Sequence, residues 1–528
     1  MNDQGMTKED YSMKPPIRLL STVTIAAALA LAGCGTNTAN NTEAPSSSRP
    51  HSGGTLYVGI DSDFVTLNPA MSSALIDRQL YINVFDPLLK LSPRMQLEPN
   101  LVTHWTISDG GLTYTLDLRH GVTFQDGTPF NAAAVIYNWK WDMNPQNASP
   151  RRSNLALVDS LSAPNPYTVV VHLKAPFSPF LYALAGRTGM ISSPTAMQKW
   201  GSQYGLHPVG TGPFEFVQWI PNDHLILKRN PHYWQKGLPY LNKIVYTPIT
   251  NPVQEYDALT TGTVNVIDSV PAQDISSLAS QPNIQSQTMP GLGYTDLELN
   301  TTVAPFTNVH NREAINYAIN RQALVNLIYF GHAIPAYSQF SPSSWAYDPA
   351  VKVPFSDPLA RQQLAQAGDP SGYSFTLQGD NDPVTIKEMQ AIQAELAKVG
   401  ITVHIEPEDF TTLLTNAING NYQAVVLGWS GRPDPDQNAY AFDTTGGSFN
   451  DPRYSNPQVE QLLLQARETS NLAQRKADYV AAAKIVLQDA PYIFLAYPPV
   501  AQAWSSSVEG FQVYPDGLMR FAQVWLKS

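Results

Sequence analysis

The stretch IKEMQAIQAELAKVGITVHIEPEDFTTLLTNAINGNYQAVVL, residues 386–427, decides the fold class. Ile386, Met389, Ile392, Leu396 and Val399 recur at three- and four-residue intervals, so they share one face of a helix. Gly400 ends that helix, because glycine takes the left-handed conformation at no steric cost. Ile401, Val403 and Ile405 then alternate with polar neighbours, the period of a half-buried strand. Asp409 starts a second helix with Leu413, Leu414, Ala417 and Ile418 turned inward. Tyr422 to Leu427 follows as a short apolar strand. Helix, strand, helix and strand in succession predict an α/β protein.

The mixture continues on both sides. Upstream, Leu112, Tyr114, Leu116 and Leu118 alternate with Thr113, Thr115, Asp117 and Arg119, and Asp126-Gly127 turns the chain. Asn131 is placed to cap a helix from Ala132 to about Met143. Downstream, Asn456-Pro457 reads as a cap with proline at the first helical position. The helices after it stop before Pro491, where the apolar strand Tyr492 to Ala496 begins. No repeat of 20–50 residues is visible. Two segments, His207 to Trp234 and Gly428 to Phe449, are dense in turn and aromatic residues. Such loops on a rigid α/β frame are where ligand contacts are expected.

A chain of 528 residues suggests about three domains. Its 32 basic and 43 acidic residues give a net charge of −11, which disfavours binding to phosphate backbones. The hydrophobic fraction of 43% is enough for sizeable cores. Charged residues make up only 14%, against about 25% in typical soluble proteins, so neutral polar groups must cover much of the surface. The 43 prolines favour turns and stiff loops over long helices.

Cys34 is the single cysteine, which rules out an intrachain disulfide and any cysteine-rich metal site. It follows a basic start, Lys14 and Arg18, and an apolar run from Leu19 to Leu31. That is the layout of a secretory signal, and the run is shorter than the ~20 residues a membrane span needs. Leu31-Ala32-Gly33-Cys34 resembles the bacterial lipobox, whose cysteine is lipidated and becomes N-terminal. Met13 opens Met-Lys-Pro-Pro-Ile-Arg, so translation from Met1 or from Met13 stays open. Gly35 to Ser52, almost without apolar residues, reads as a flexible tether. No later stretch reaches 18 uninterrupted apolar residues.

The motifs of several enzyme classes are missing. There is no phosphate-binding Gly-x-x-x-x-Gly-Lys-Ser/Thr, no His-Glu-x-x-His and no Gly-x-Gly-x-x-Gly. Gly428-Trp429-Ser430-Gly431-Arg432 misses the nucleophile elbow at its last position. The histidines are scattered, and His224 and His232, flanking a hairpin, read as surface residues. Asp434, Asp436 and Asp443 lack the spacing of a calcium loop and read as turn residues capping backbone amides.

Five stretches, in order, resemble the extracellular solute-binding proteins, family 5, of peptide and nickel ABC importers. They are Gly53-Gly54-Thr55-Leu56 with Leu67-Asn68-Pro69 and Val84 to Leu89; Asp109 to Leu116, continuing to Pro129; Pro208 to Phe214 with Trp219 and Asn230 to Trp234; Asn308 to Arg321; and Gly428-Trp429 with Asp434-Pro435-Asp436. The resemblance implies an α/β, two-lobed type II periplasmic-binding-protein clamshell with an extra domain on one lobe. By that analogy domain I comprises residues 53–83, 207–297 and 497–528, domain II residues 84–206 and domain III residues 298–496, after a signal peptide (1–33) and lipidated tether (34–52). Crossings near 297 and 496 form the hinge.

The function so implied is capture of an oligopeptide or related small amide or carboxylate solute outside the cytoplasmic membrane and delivery to a permease. ATP is hydrolysed by the partner's cytoplasmic subunits. The protein is then a lipid-anchored monomer, not an enzyme, without a cofactor. A nickel or metallophore binder is the alternative within the family; a secreted hydrolase is the alternative outside it.

In peptide-binding members an aspartate three residues after the tryptophan of the Gly-Trp segment holds the peptide's ammonium. Here that position is Arg432, whose planar fork suits carboxylate or phosphate. Arg432 either meets ligand or pairs with Asp434 or Asp436. Trp429 either lines the cleft, with a face for stacking on amides, or packs in the core. Arg187 is either a second anion clamp or a counter-charge to a helix C-terminus. Asp434, Tyr57 and Asp63 complete the candidate ligand-binding set, with the loop from Asp61 to Leu67 as one wall. Membrane attachment is tested by Cys34→Ala, which is expected to release the protein into the medium or periplasm; retention as firm as the parent's contradicts lipidation.

Overall fold

The computed structural model describes residues 49–278 and 280–527. Cys34, the signal segment and the tether up to residue 48 lie outside the described residues. Three main sheets organise the rest. The first has seven strands in the order Ile284–Pro290, Pro499–Ser505, Val266–Ile267, Thr55–Ile60, Lys243–Pro248, His224–Arg229 and Phe214–Ile220. The second has six, in the order Ile334–Pro335, Tyr492–Tyr497, Tyr294–Leu299, Ala424–Trp429, Ser374–Asp380 and Thr402–Glu408. The third is a four-stranded antiparallel sheet of Val102–Ser108, Thr113–Leu118, Thr168–Leu173 and Val158–Asn165. No helix among the described residues is long and apolar enough to cross a membrane.

Local rules account for most of these elements. Asn131 caps the helix Ala132–Met143 by accepting from the Ala134 amide at 3.1 Å. Asn456 caps Pro457–Glu468, and proline occupies the first turn, where a missing N–H costs nothing. In the third sheet Tyr114, Leu116 and Leu118 point into a core that includes Trp139 and Phe180. The decisive stretch folds as helix Pro383–Ala397, strand Thr402–Glu408, helix Phe410–Asn419 capped by Asp409, and strand Ala424–Trp429.

One expectation fails within that stretch. Leu413 and Ala417 are buried, against Tyr422 and Val425, but Leu414 and Ile418 are 36% and 63% exposed. The apolar stripe on Phe410–Asn419 is wider than the edge by which the helix meets the sheet, so half of it faces outward.

The chain passes from the first sheet to the second between Pro290 and Tyr294, just ahead of the expected 297, and returns at Pro498. The two passages touch, with the Gly291 N–H donating to the Pro498 carbonyl at 3.3 Å.

The second sheet buries charge without counter-charge. Asp296 and Glu298, on strand Tyr294–Leu299, are 1% and 5% exposed, and both Asp296 oxygens lack a hydrogen-bond donor. Among the described residues Asp443 accepts only from the Gln339 amide, at 2.7 Å. Among the described residues no lysine or arginine nitrogen lies within 4.0 Å of Asp296, Glu298, Glu388 or Asp443. Burial raises all four carboxyls, Glu388 to about 7, and the mutual repulsion of Asp296 with Glu388, Asp451 and Asp443 adds to it. A carboxyl with a raised folded-state pKa binds its proton more tightly folded than unfolded. Stability therefore falls as pH rises, from the unfolded range of about 4 through about 7. The buried pair of Asp516 with Arg520 works in the opposite direction, since its carboxyl is lowered. Because the raised groups are more numerous, the melting temperature should decline from pH 5 to pH 8. Asp296→Asn should flatten that decline; a profile that rises over this interval contradicts the reading.

Candidate functional site

A cavity of about 590 Å³ lies between the segment that builds the third sheet and the segment that builds the second. One wall carries Arg151, Asn154, Phe177 and Arg187; the other carries Trp429, Arg432, Asp436, Tyr440, Phe449 and Arg467. The walls touch at one edge, where the Ser178 N–H donates to the Arg467 carbonyl at 2.8 Å and the Arg467 guanidinium lies over the Phe177 ring.

The loop after strand Ala424–Trp429 sets the second wall. Gly431 has φ +71°, and a Cβ there would lie 2.3 Å from the Leu292 carbonyl atoms at the inter-sheet passage. Only glycine lets the loop come this close. Asn438 then grips the next residue from both sides: its Oδ1 accepts the Arg432 N–H at 2.7 Å, and its Nδ2 donates to the Arg432 carbonyl at 2.8 Å. The same Oδ1 accepts the Trp429 indole N–H at 2.9 Å. Farther along, Asp434 is fully buried and receives Arg475 Nη2 on both oxygens, at 2.8 and 3.0 Å.

With its backbone held, the Arg432 guanidinium lies 4.3 Å over the Trp429 ring and donates to Ser430 Oγ and the Gly431 carbonyl. No carboxylate oxygen lies within 4.0 Å of it among the described residues. Asp434 is taken by Arg475, and Asp436 lies against Arg467. Arg432 is only half-buried by surface, yet protein surrounds the cavity around it. This desolvation, followed by repulsion from Arg78, Arg187 and Arg151, pushes it well below the usual arginine range. Arginine nonetheless keeps its proton in proteins, so the charge stays beside the cavity.

Arg187 sits in the 3₁₀ turn Arg187–Gly189. The Trp139 indole N–H donates to the Thr188 carbonyl at 2.9 Å, and a Cβ on Gly189 would strike the Leu184 carbonyl. Arg187 is 8% exposed and donates to the Ala74 carbonyl at 2.8 Å rather than to a helix end. Burial, then repulsion from Arg151 and Arg78, lowers it to about 9. Arg151 donates to the Ser72 carbonyl at 3.0 Å, while its buried Nε has no acceptor among the described residues. On the facing wall Asp436 is 4% exposed. Its Oδ1 lies 3.0 Å from Arg467 Nε, but off the angle a hydrogen bond needs. Burial, opposed by Arg467, pushes Asp436 up to about 7.

Of the candidate residues, then, Trp429, Arg432 and Arg187 line one cavity. Trp429 also meets Phe442 and Phe449. Asp434 lies behind the loop. Tyr57, 46% exposed, and Asp63, which accepts from the Trp219 indole and the Asn222 amide, do not line the cavity. Nor do the loop from Asp61 to Leu67 and the segment from His207 to Trp234, where Gly210 and Gly212 pack on Val84 and Phe85. Sequence reasoning missed Arg151, Arg467 and Asn438, which stand in ordinary turn or helix settings with nothing local to mark them. Among the described residues no group of three or more His, Cys, Asp or Glu is placed to hold a metal ion.

Comparison with known proteins supplies a context. Residues 96–450 match the model of the bacterial extracellular solute-binding proteins, family 5. The glutathione-binding protein GsiB of Escherichia coli (strain K12) is 34% identical over 479 residues, covering 87% of this chain and 92% of its own. The structure of the ABC transporter-associated periplasmic binding protein DppA from Helicobacter pylori, in complex with peptide STSA, superposes with a TM-score of 0.81 at 29% identity, over 91% of this chain and 99% of that one. The PBP AgaA from A. tumefacien R10, in complex with agropinic acid, gives 0.79 at 26% identity, over 90% of this chain and 99% of that one.

The geometry separates two roles that adjoin in sequence. Asp434→Ala leaves Arg475 buried without its partner and should cost about 3–5 kcal/mol of stability. Arg432→Ala removes a charge that has no carboxylate partner and should leave stability unchanged or raise it. Denaturant unfolding of both variants is the measurement; equal losses would place Arg432 in the structural framework.

Proposed function

Because the chain belongs to the bacterial extracellular solute-binding proteins of family 5, we propose that it captures a short peptide, or a related amide or carboxylate solute, for an ABC importer. The observation that carries the choice of solute is Arg432: a guanidinium at the cavity, stacked on Trp429, with no carboxylate of its own. A carboxylate offers it a two-toothed, charge-assisted partner. The cavity volume falls within the roughly 300–1,000 Å³ of small-molecule sites and favours a short ligand over a long one. The relatedness to a glutathione-binding protein makes glutathione, a tripeptide with two carboxylates, the first solute to try.

Ligand would bind between the second sheet and the third, drawing the walls together about the Gly291 and Pro498 passages. The edge contacts of Ser178 and Phe177 with Arg467 must break for release. The protein works outside the cytoplasm, as its family does, and hands the closed form to a permease whose partner subunits hydrolyse ATP. That no phosphate-binding loop occurs in the sequence agrees with this division of labour. Lipid attachment through Cys34 and a monomeric state complete the proposal. The three sheets would correspond to three domains, the first assembled from separate chain segments.

Binding of the solute should raise the melting temperature, by about 2.7 kcal/mol of stabilisation at a hundredfold excess over Kd, and should lower the radius of gyration in small-angle scattering. The solute should be recovered unchanged; conversion by the purified protein contradicts a binding role. Arg432→Ala should weaken binding by about 1.5–3 kcal/mol, roughly 10- to 150-fold. Arg432→Lys should restore part of that loss, because one ammonium replaces a fork. Unchanged calorimetric affinity in Arg432→Ala would remove this arginine from the site.

A further inference from the structure

The proposal that this cavity is the solute site leaves open what kind of solute it takes, and the ionisable groups around it narrow the answer. Arg151, Arg187, Arg432 and Arg467 line the cavity, and Asp436 is the one carboxylate among the lining residues. Four guanidinia against one carboxylate is more positive charge than a single ligand carboxylate can match.

The surrounding shell does not remove the excess. Asp77 stands near Arg187, but its oxygens are used by Ser72 Oγ at 2.6 Å and the Val65 N–H at 2.7 Å. Asp142 stands near Arg151, but it accepts from Ser149 Oγ at 2.7 Å. Neither lies within 4.0 Å of a guanidinium nitrogen among the described residues. Arg78 adds to the positive field on Arg187 and Arg432; its nearest carboxylate, Asp516 at 4.0 Å, is already held by Arg520 at 2.7 Å. Counting all of these, six guanidinia face four carboxylates, so the positive excess is two even with every carboxyl ionised.

We infer that the solute carries at least two carboxylates, one for Arg432 and a second for the Arg151–Arg187 wall. The arrangement on that wall supports the second contact. Arg151 Nε is buried with no acceptor among the described residues, and both arginines otherwise donate to uncharged oxygens of the 72–74 segment. Such carbonyl and hydroxyl acceptors hold a guanidinium in place without pairing its charge, which Asp77 and Asp142, both beyond 4.0 Å, offset only at a distance. A ligand with one carboxylate would satisfy Arg432 and leave this wall unpaired.

The test is calorimetric titration of the full chain with three tripeptides of one length: Ala-Ala-Ala, Ala-Ala-Glu and Ala-Glu-Glu. They carry one, two and three carboxylates. Affinity should rise about 10-fold or more from the first to the second, as expected for a gained charge-assisted contact, and the gain should shrink with added salt. Arg151→Gln with Arg187→Gln should abolish the difference between Ala-Ala-Ala and Ala-Ala-Glu. Native mass spectrometry of the protein as purified provides an arm independent of these probes and of the variants' folding. A co-purified solute with two or more carboxylates upholds the inference, and one with fewer overturns it. Ala-Ala-Ala binding as tightly as the acidic peptides overturns it too. Acidic peptides that bind with no dependence on Arg432 would instead overturn the assignment of the cavity as the solute site.

Discussion

Asp434 and Arg475 meet in a fully enclosed position, two hydrogen bonds from one nitrogen to both oxygens, and the rest of the site leans on that contact. Arg475 is further fixed by the Ala466 carbonyl at 3.0 Å and by the Trp345 ring. A buried pair of this kind contributes little net stability, because both ions were desolvated to form it; what it supplies is position. It ties the loop after Trp429 to the helices behind it. At the loop's other end Gly431 rests against Leu292. Between these anchors Asn438 takes both backbone groups of Arg432, and the one freedom left to that residue is its side chain, which turns to the cavity. The pair also consumes the carboxylate nearest to Arg432 in sequence. An arginine two residues from an aspartate is thereby left uncompensated.

Charge without counter-charge recurs in two places with different consequences. Behind the second sheet Asp296, Glu298 and Asp443 are sealed from solvent, and protons are the species available to neutralise them. Around the cavity the uncompensated groups are guanidinia, which do not lose their protons at neutral pH. They face a cavity of about 590 Å³ rather than a sealed core. One kind of buried charge thus makes folding depend on pH, and the other leaves the cavity positively charged.

The elements were readable to within a few residues where capping and periodicity are local matters. Asn131, Asn456 and Asp409 cap where an acceptor followed by helix-forming residues predicts it. Reading failed where the partner surface decides. Leu414 and Ile418 have the right period to be buried, but period reports which residues share a face and not how much of that face a neighbour covers. Asp434 has the residue type of a ligand contact and became the partner of Arg475, 41 positions away. Arg151 and Arg467 carry no local signal, and nothing in either neighbourhood says that the two would enclose one space.

What the sequence by itself determined is the α/β class, the family motifs and the anomaly of an arginine three residues after Trp429. These rest on composition, spacing and short-range backbone chemistry, which act along the chain. Only the tertiary structure decided that Arg187 and Arg432, 245 positions apart by their numbers, share a cavity. It alone decided that Tyr57 and Asp63 stay outside that cavity and that Arg432 has no carboxylate partner among the described residues. The physical reason is that pairing and desolvation are properties of neighbours in space. Which groups become neighbours here depends on how close residues such as Gly431 let separate segments pack, and that closeness is settled only when the sheets come together.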